Sequence, residues 1–236
     1  MVEKAIVKQH EETGNIEELW IMDLNVTAVS PLYTGENKKE IADDIKKSGT
    51  LPTRKSGDGF AVMNISGIIR ANVEKIYKDE GVCDVGADSK GCGFEKIKLN
   101  KQPCMTCDMF GFLGKRGRIS VDELKSVKLF DDVVEIAVHP RINRDTGTIP
   151  PEQGATIKLE EIQEGTELKG RIIIRNPKEK DLVVLESAFK AMEIMGIGGW
   201  TRRGKGRVSI VSNVRKLKWS DFKEIGKEEV KKLMTK

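Results

Sequence analysis

The chain predicts an α+β domain in which one antiparallel sheet is backed by two helices. Three observations carry this. Residues 20–29 alternate like a half-buried strand, two separate stretches carry an apolar helical face, and strand-like runs lie between and after them. With 236 residues the chain is long enough for one large core, so residues 1–236 are expected to form a single domain with insertions.

In the first strand Met22, Leu24, Val26 and Ala28 alternate with Asp23, Asn25 and Thr27. A turn, "SPLYTGENKK", follows, and residues 36–60, rich in Lys, Gly and Asp, read as a flexible loop insertion. "AVMNISGIIRANVEKIYKDEG" leads into a helix with Ile69, Val73, Ile76 and Tyr77 on one face, Ser66 as its cap and Gly81 as its end. Residues 82–118 form a cysteine-containing insertion that closes in a glycine- and arginine-bearing turn. Strands are expected at 133–138, in "ATIKLEEI" and in "TELKGRIIIR", the first two flanking a hairpin-like excursion at 139–155. The second helix runs from about Asp181, its N-cap, to Met195, with Leu185, Ala188, Phe189 and Met192 inward and Gly196 at C′. "RVSIVSNV" is the last strand, and Ser220 caps a terminal amphipathic helix. This order fits a ferredoxin-like, RRM-like β-α-β-β-α-β unit with two packing helices and long insertions.

Composition narrows the classes. Net charge is only +4, so a nucleic-acid partner must be argued from where the basic residues cluster. A charged share of 33% with two histidines hints at a thermophile. No apolar run approaches the roughly 20 residues of a membrane span, and the first residues do not read as a signal peptide. The expectation is a cytoplasmic protein without membrane contact, in which cysteines act as thiols or metal ligands.

Four stretches carry candidate chemistry. Cys83, Cys92, Cys104 and Cys107 are spaced C-x8-C, eleven residues, C-x2-C. The second pair is spaced like a zinc knuckle, and four thiolates would leave no open position, so the expected metal is a structural zinc. The other reading is four unconnected thiols; in the zinc reading His10 or His139 is available to replace one ligand. "FGFLGKRGRIS" interleaves Lys115, Arg116 and Arg118 with glycines, which suits close approach to phosphates. "HPRINRDTGTIPPEQG" carries Arg141 and Arg144 at the stem of the excursion. "GIGGWTRRGKGR" holds Gly198, Gly199, Arg202, Arg203, Lys205 and Arg207, and leaves a helix to enter a strand. That is the reverse of the context a nucleotide-phosphate loop requires. Trp200 either stacks on a base or packs on the helix.

Together these motifs resemble the RAMP superfamily of CRISPR-associated proteins. The glycine-rich loop before the last strand resembles that family's signature. "NISGIIRANVEKI" is similar to its Ser-x-x-(Lys/Arg)-Gly-x-x-Arg helix start, with Ser66 and Arg70 in place and the spacing compressed. "CMTCDMFG" is similar to its C-x-x-C-x-x-F-G element, and "RINRDTGTIPPEQGA" to its thumb segment, followed by a strand and "IQEGTELKG". The resemblance runs from about residue 20 to residue 214. It implies a guide-RNA (crRNA) binding backbone subunit of a class 1 effector complex in antiviral defence. Such a subunit self-associates along the RNA beside other effector subunits and target nucleic acid, holds phosphates at the glycine loop and at Ser66 and Arg70, and kinks the guide with a thumb-like hairpin at 139–155. RNA-cleaving relatives keep an aspartate after the first strand. Here "KKSGTLPTRK" places Gly49 or Thr50 there, so no catalytic residue is assigned. The alternatives are a metal-dependent endoribonuclease using Asp43 or Asp44, and a guide-processing ribonuclease, which the scarcity of histidine disfavours.

Overall fold

The computed structural model describes residues 16–35, 49–83, 92, 102–112, 115–140, 142–149 and 156–234. In chain order the elements are β1 (Glu18–Ala28), β2 (Thr50–Leu51), β3 (Phe60–Met63), α1 (Ser66–Ile76), α2 (Met105–Phe110), β4 (Gly111–Phe112), β5 (Lys115–Arg116), β6 (Ile119–Val121), β7 (Leu124–Leu129), α3 (Phe130–Val133), β8 (Val134–Pro140), β9 (Thr156–Ile162), β10 (Glu167–Arg175), α4 (Glu179–Met195), β11 (Val208–Lys218) and α5 (Asp221–Met234). Single 3₁₀ turns follow α1 at Lys78–Glu80 and α4 at Thr201–Arg203.

The main sheet runs β11-β1-β10-β7-β3, with β6 also paired to β10. β1, α1, β7, β10, α4 and β11 therefore form the expected ferredoxin-like unit, and β3 extends one edge. β1 lies between β10 and β11, antiparallel to both. Its alternation follows from this place: Met22, Leu24 and Val26 point under the helices and are buried. Above them α1 contributes Ile69 and Val73, and α4 contributes Leu185, Ala188, Phe189 and Met192. Each large apolar side chain buried there stabilises the fold by about 1.5–3 kcal/mol. The Tyr77 hydroxyl meets Ser187 Oγ at 3.3 Å, a polar tie between the two helices.

A second sheet, β2-β9-β8, stands beside the first. β8 and β9 pair antiparallel from Val134↔Ile162 to Pro140↔Thr156 and so form the stem of the expected hairpin. Residues 142–149 of its excursion are described, with Asn143 Oδ1 accepting from the Asp145 N–H.

Several local expectations are corrected. A strand at 119–129, bent at Asp122 and Glu123, is not among the expected ones and is the second strand of the unit; the expected strand at 133–138 is present as β8 and belongs to the hairpin. The loop insertion at 36–60 is built over its second half. β2 runs parallel to β9, and Gly35↔Thr53 and Lys55↔Ala61 form bridges; residues 36–48 lie outside the described ones. Ser66 is the first helical residue rather than the cap, and Asn64 Oδ1 accepts its N–H at 3.0 Å. Ile76 is 44% exposed, while Tyr77 beside it packs against the core. Gly81 closes the 3₁₀ turn rather than α1. Lys178 is the N-cap of α4, and Asp181, at the third helical position, reaches back to its N–H at 2.8 Å.

Candidate nucleic-acid interface and cysteine cluster

The glycine-rich loop starts where α4 ends. Gly196 takes a φ of 80° at the C-cap. The Ile197 N–H donates to the Gly206 carbonyl (2.8 Å), the Gly206 N–H to Pro31 O (2.9 Å) and the Gly199 N–H to Tyr33 O (3.0 Å). The Val29 and Ser30 N–H groups both reach Arg207 O. The loop is thus sewn to the segment that leaves β1. Its glycines are required for that: a Cβ on Gly206 would strike the Ile197 carbonyl oxygen, and one on Gly198 the Tyr33 carbonyl oxygen, and both positions have φ near +80°. The close approach they permit is of the chain to itself. Gly206→Ala is therefore expected to cost about 1–3 kcal/mol, read as a lower urea midpoint with an unchanged m value.

This fastening presents Arg202, Arg203 and Arg207 to solvent. Trp200 adopts φ 64°, a strained value for a bulky residue. Its ring meets two groups: the Arg203 guanidinium 4.2 Å from the ring centroid and the His139 ring 5.0 Å away. Lys205 turns inward, 13% exposed, with Nζ 2.5 Å from Glu161 Oε2. A cleft of about 250 Å3 opens beside the loop, lined by Tyr33, Arg54, Asn64, Ile68, Gly198 and Gly199, and so reaches the start of α1. Burial, then the Glu160 carboxylate, raise the Tyr33 pKa, so the phenol stays a neutral donor there.

A second basic turn lies at β4–β5. The backbones of Gly111 and Gly117 cross so closely that a Cβ on either would overlap the other's main chain. Lys115 and Arg116 are exposed on it. Arg175 Nη2 donates to Gly117 O at 2.5 Å; burial, then the like charge of Arg116, lower its pKa. Arg118 points the other way. Its Nη1 and Nη2 meet both Asp181 carboxylate oxygens (2.6 and 2.9 Å), its Nε meets Asp108 Oδ2 (2.9 Å), and Lys178 Nζ meets the same Asp108 oxygen (2.8 Å). Burial pushes the Asp108 carboxyl up, but hydrogen bonds and charge from Lys178 and Arg118 outweigh it and hold the group below its ordinary value.

Beside this turn the four cysteine sulfurs lie within 4.8 Å of one another. A tetrahedral zinc with bonds near 2.3 Å sets its sulfurs roughly 3.8 Å apart, so the cluster matches four-thiolate coordination. The Cys104 N–H donates to Cys92 Sγ (3.2 Å) and the Cys83 N–H to Cys104 Sγ (3.4 Å), the outer-shell bonds that steady a ligating thiolate. Burial, then crowding by Cys104, push Cys107 up to about 11. Burial also pushes Cys92 up, but the Cys104 N–H and neighbouring thiols bring it down to about 7. A bound cation would favour the thiolate form of the cluster. Arg70 links the cluster to α1: Nε meets Glu74 (2.8 Å), Nη1 meets Gly111 O (2.9 Å) and Nη2 meets Cys107 Sγ (3.9 Å).

A family model of the RAMP superfamily matches residues 25–209, from the middle of β1 to the start of β11. The chain belongs to the RAMP superfamily. With this membership comes the family's CRISPR association and RNA-binding character. A comparison with curated proteins found no match.

Within this RAMP fold the expected site residues separate into two groups. Lys115, Arg116, Arg144, Arg202, Arg203 and Arg207 are exposed on loops. Arg70, Arg118 and Lys205 spend their charge inside the protein. Ser66 is half-buried at the start of α1, between Asn64 and Ile68, which line the cleft. His139 stands on Glu161 and Trp200, apart from the cysteine cluster. Arg141, Asp43, Asp44 and His10 lie outside the described residues. The sequence reading missed Glu161. Its signal was present: it shares the inward phase of β9 with Leu159, and an acid in that phase requires a cationic partner. Among the described residues no helix is long and apolar enough to cross a membrane.

Proposed function

We propose that the chain is a guide-RNA-binding backbone subunit of a class 1 CRISPR effector complex in the cytoplasm, self-associating along the RNA beside other effector subunits and target nucleic acid. The observation that supports this most is the pairing of a rigid loop that exposes Arg202, Arg203 and Arg207 with a projecting hairpin bearing Arg144. Loop cations that have no carboxylate partner among the described residues suit phosphate, whose recognition is independent of base sequence and strongly salt-dependent. The turn carrying Lys115 and Arg116 is a second contact of the same kind. We assign zinc to the four cysteines as a structural ion that stiffens the insertion.

The test is an oligouridylate titration at several salt concentrations. Arg202→Ala/Arg203→Ala/Arg207→Ala is expected to weaken binding and to flatten the log–log salt slope by about 2, from three contacts at roughly 0.7 each. Melting is expected to stay almost unchanged, because the three side chains are on the surface. Unchanged affinity and slope would remove the loop from the interface. Lys205→Met is not expected to flatten the slope in this way, because Lys205 is already neutralised.

A further inference from the structure

The glycine loop and the hairpin stem come from separate parts of the chain, and one carboxylate joins them. Glu161 on β9 is 4% exposed. Its Oε2 accepts from Lys205 of the loop at 2.5 Å, and its Oε1 lies 3.3 Å from His139 Nε2 on β8. The residue opposite Glu161 in the β8–β9 ladder is Glu135, a like charge, so the buried carboxylate depends on Lys205 for compensation. Outside this pair the contact continues through rings: His139 packs on Trp200, which carries Arg203 on its face. Trp200 holds its left-handed backbone at a cost that persists only where the surroundings over-determine it.

We propose that Glu161 is a positioning residue that couples the glycine-rich loop to the hairpin, so that exposed Arg202 and Arg203 and the hairpin meet RNA as one rigid unit. The coupling itself needs only the geometry above; its use in RNA binding rests on the function proposed in the preceding subsection. In this arrangement Lys205 is a strut and Glu161 its socket. Neither touches the ligand.

The two roles open to Lys205 give opposite results for Glu161→Gln. If Glu161 merely masked a phosphate-binding lysine, its neutralisation would tighten oligouridylate binding and steepen the salt slope by about 0.7. The coupling instead predicts weaker binding, roughly tenfold, with a slope that does not steepen. Lys205→Met and Glu161→Gln/Lys205→Met are then expected to be no weaker than Glu161→Gln alone, because all three break the same joint. Tighter binding with a steeper slope, or additive losses, overturns the proposal.

Amide exchange in the free protein provides a readout without RNA. Glu161→Gln is expected to speed exchange in both 134–140 and 198–206 while leaving β1 protected. Acceleration in only one of the two segments, or in neither, overturns the coupling. Should the single variant fail to fold, the double variant buries no charge and is read in the same way. A wild-type chain that bound no oligouridylate would refute the proposed function, and the exchange result would still decide the coupling.

Discussion

Stripping metal from the purified protein with a strong chelator is expected to release one zinc per chain and to melt the cysteine element while the main sheet survives. The expectation follows from the small size of that element, which Met109 in the core and the pairs of Asp108 with Arg118 and Lys178 otherwise hold. α2 is six residues long, too short to persist on its own propensity. Its attachment to α1 runs through Arg70, whose guanidinium reaches Gly111 O and Cys107 Sγ. The four sulfurs come from three separated places in the chain, so the ion closes loops whose entropy would otherwise oppose the cluster. Metal binding energy is then folding energy for this insertion. The sheet, in contrast, is held by Met22, Leu24, Ile172 and Phe189 and does not need the cluster. Chelation should therefore strip exchange protection from 102–112, leave β1 and β10 protected, and lower the melting temperature by on the order of 10 °C. Cys104→Ser/Cys107→Ser should reproduce the state and prevent zinc uptake. A chain that purifies without metal and melts identically with and without chelator would refute the assignment. In that case the four cysteines would be neighbours by packing alone.

The sequence carried the frame of the fold because the frame is periodic. β1 alternates from Trp20 to Ala28, and Leu185, Ala188, Phe189 and Met192 recur at helical spacing on α4. Strand 119–129 escaped because it is two short strands. Asp122 and Glu123 sit at the bend, and beyond it Val127 and Leu129 are exposed, so neither half shows enough alternation to stand out. β3 escaped because "FAVM" runs straight into the apolar residues of α1.

The basic residues show a different limit. Sequence locates charge but not its partner. Arg202 and Lys205 stand three apart on one loop, yet one faces solvent and the other is paired with a buried acid. The difference is set by Glu161, more than forty positions earlier. Arg116 and Arg118 divide likewise, one exposed on its turn and the other held by Asp181. In both cases the acid sits in the apolar phase of its element. Asp181 precedes Leu185 by one helical turn and shares its inward face. A buried acid in phase with the core is the local mark of such a pair, and it identifies which cations are structural.

Asp181→Ala is expected to be the most damaging single substitution outside the metal cluster. Asp181 does two jobs with one carboxylate. It accepts the Lys178 N–H at the start of α4, a cap of about 1 kcal/mol, and it receives both Arg118 terminal nitrogens. Removing it strands a guanidinium that is 17% exposed beside Asp108, and breaking a buried pair from one side costs about 3–5 kcal/mol. Asp181→Asn should fall between wild type and Asp181→Ala, since an amide oxygen still caps α4 and accepts one bond from Arg118. Arg118→Met should cost a similar amount, because it leaves two carboxylates facing each other with only Lys178 for compensation. The decisive comparison is Arg118→Met/Asp181→Leu. With no charge left unpaired between the two sites, it should recover most of the loss, so the double variant should be more stable than either single one. Urea unfolding of the four variants measures this directly. Losses that simply add would mean that Arg118 and Asp181 stabilise the protein independently and that the ion pair does not join the basic turn to α4.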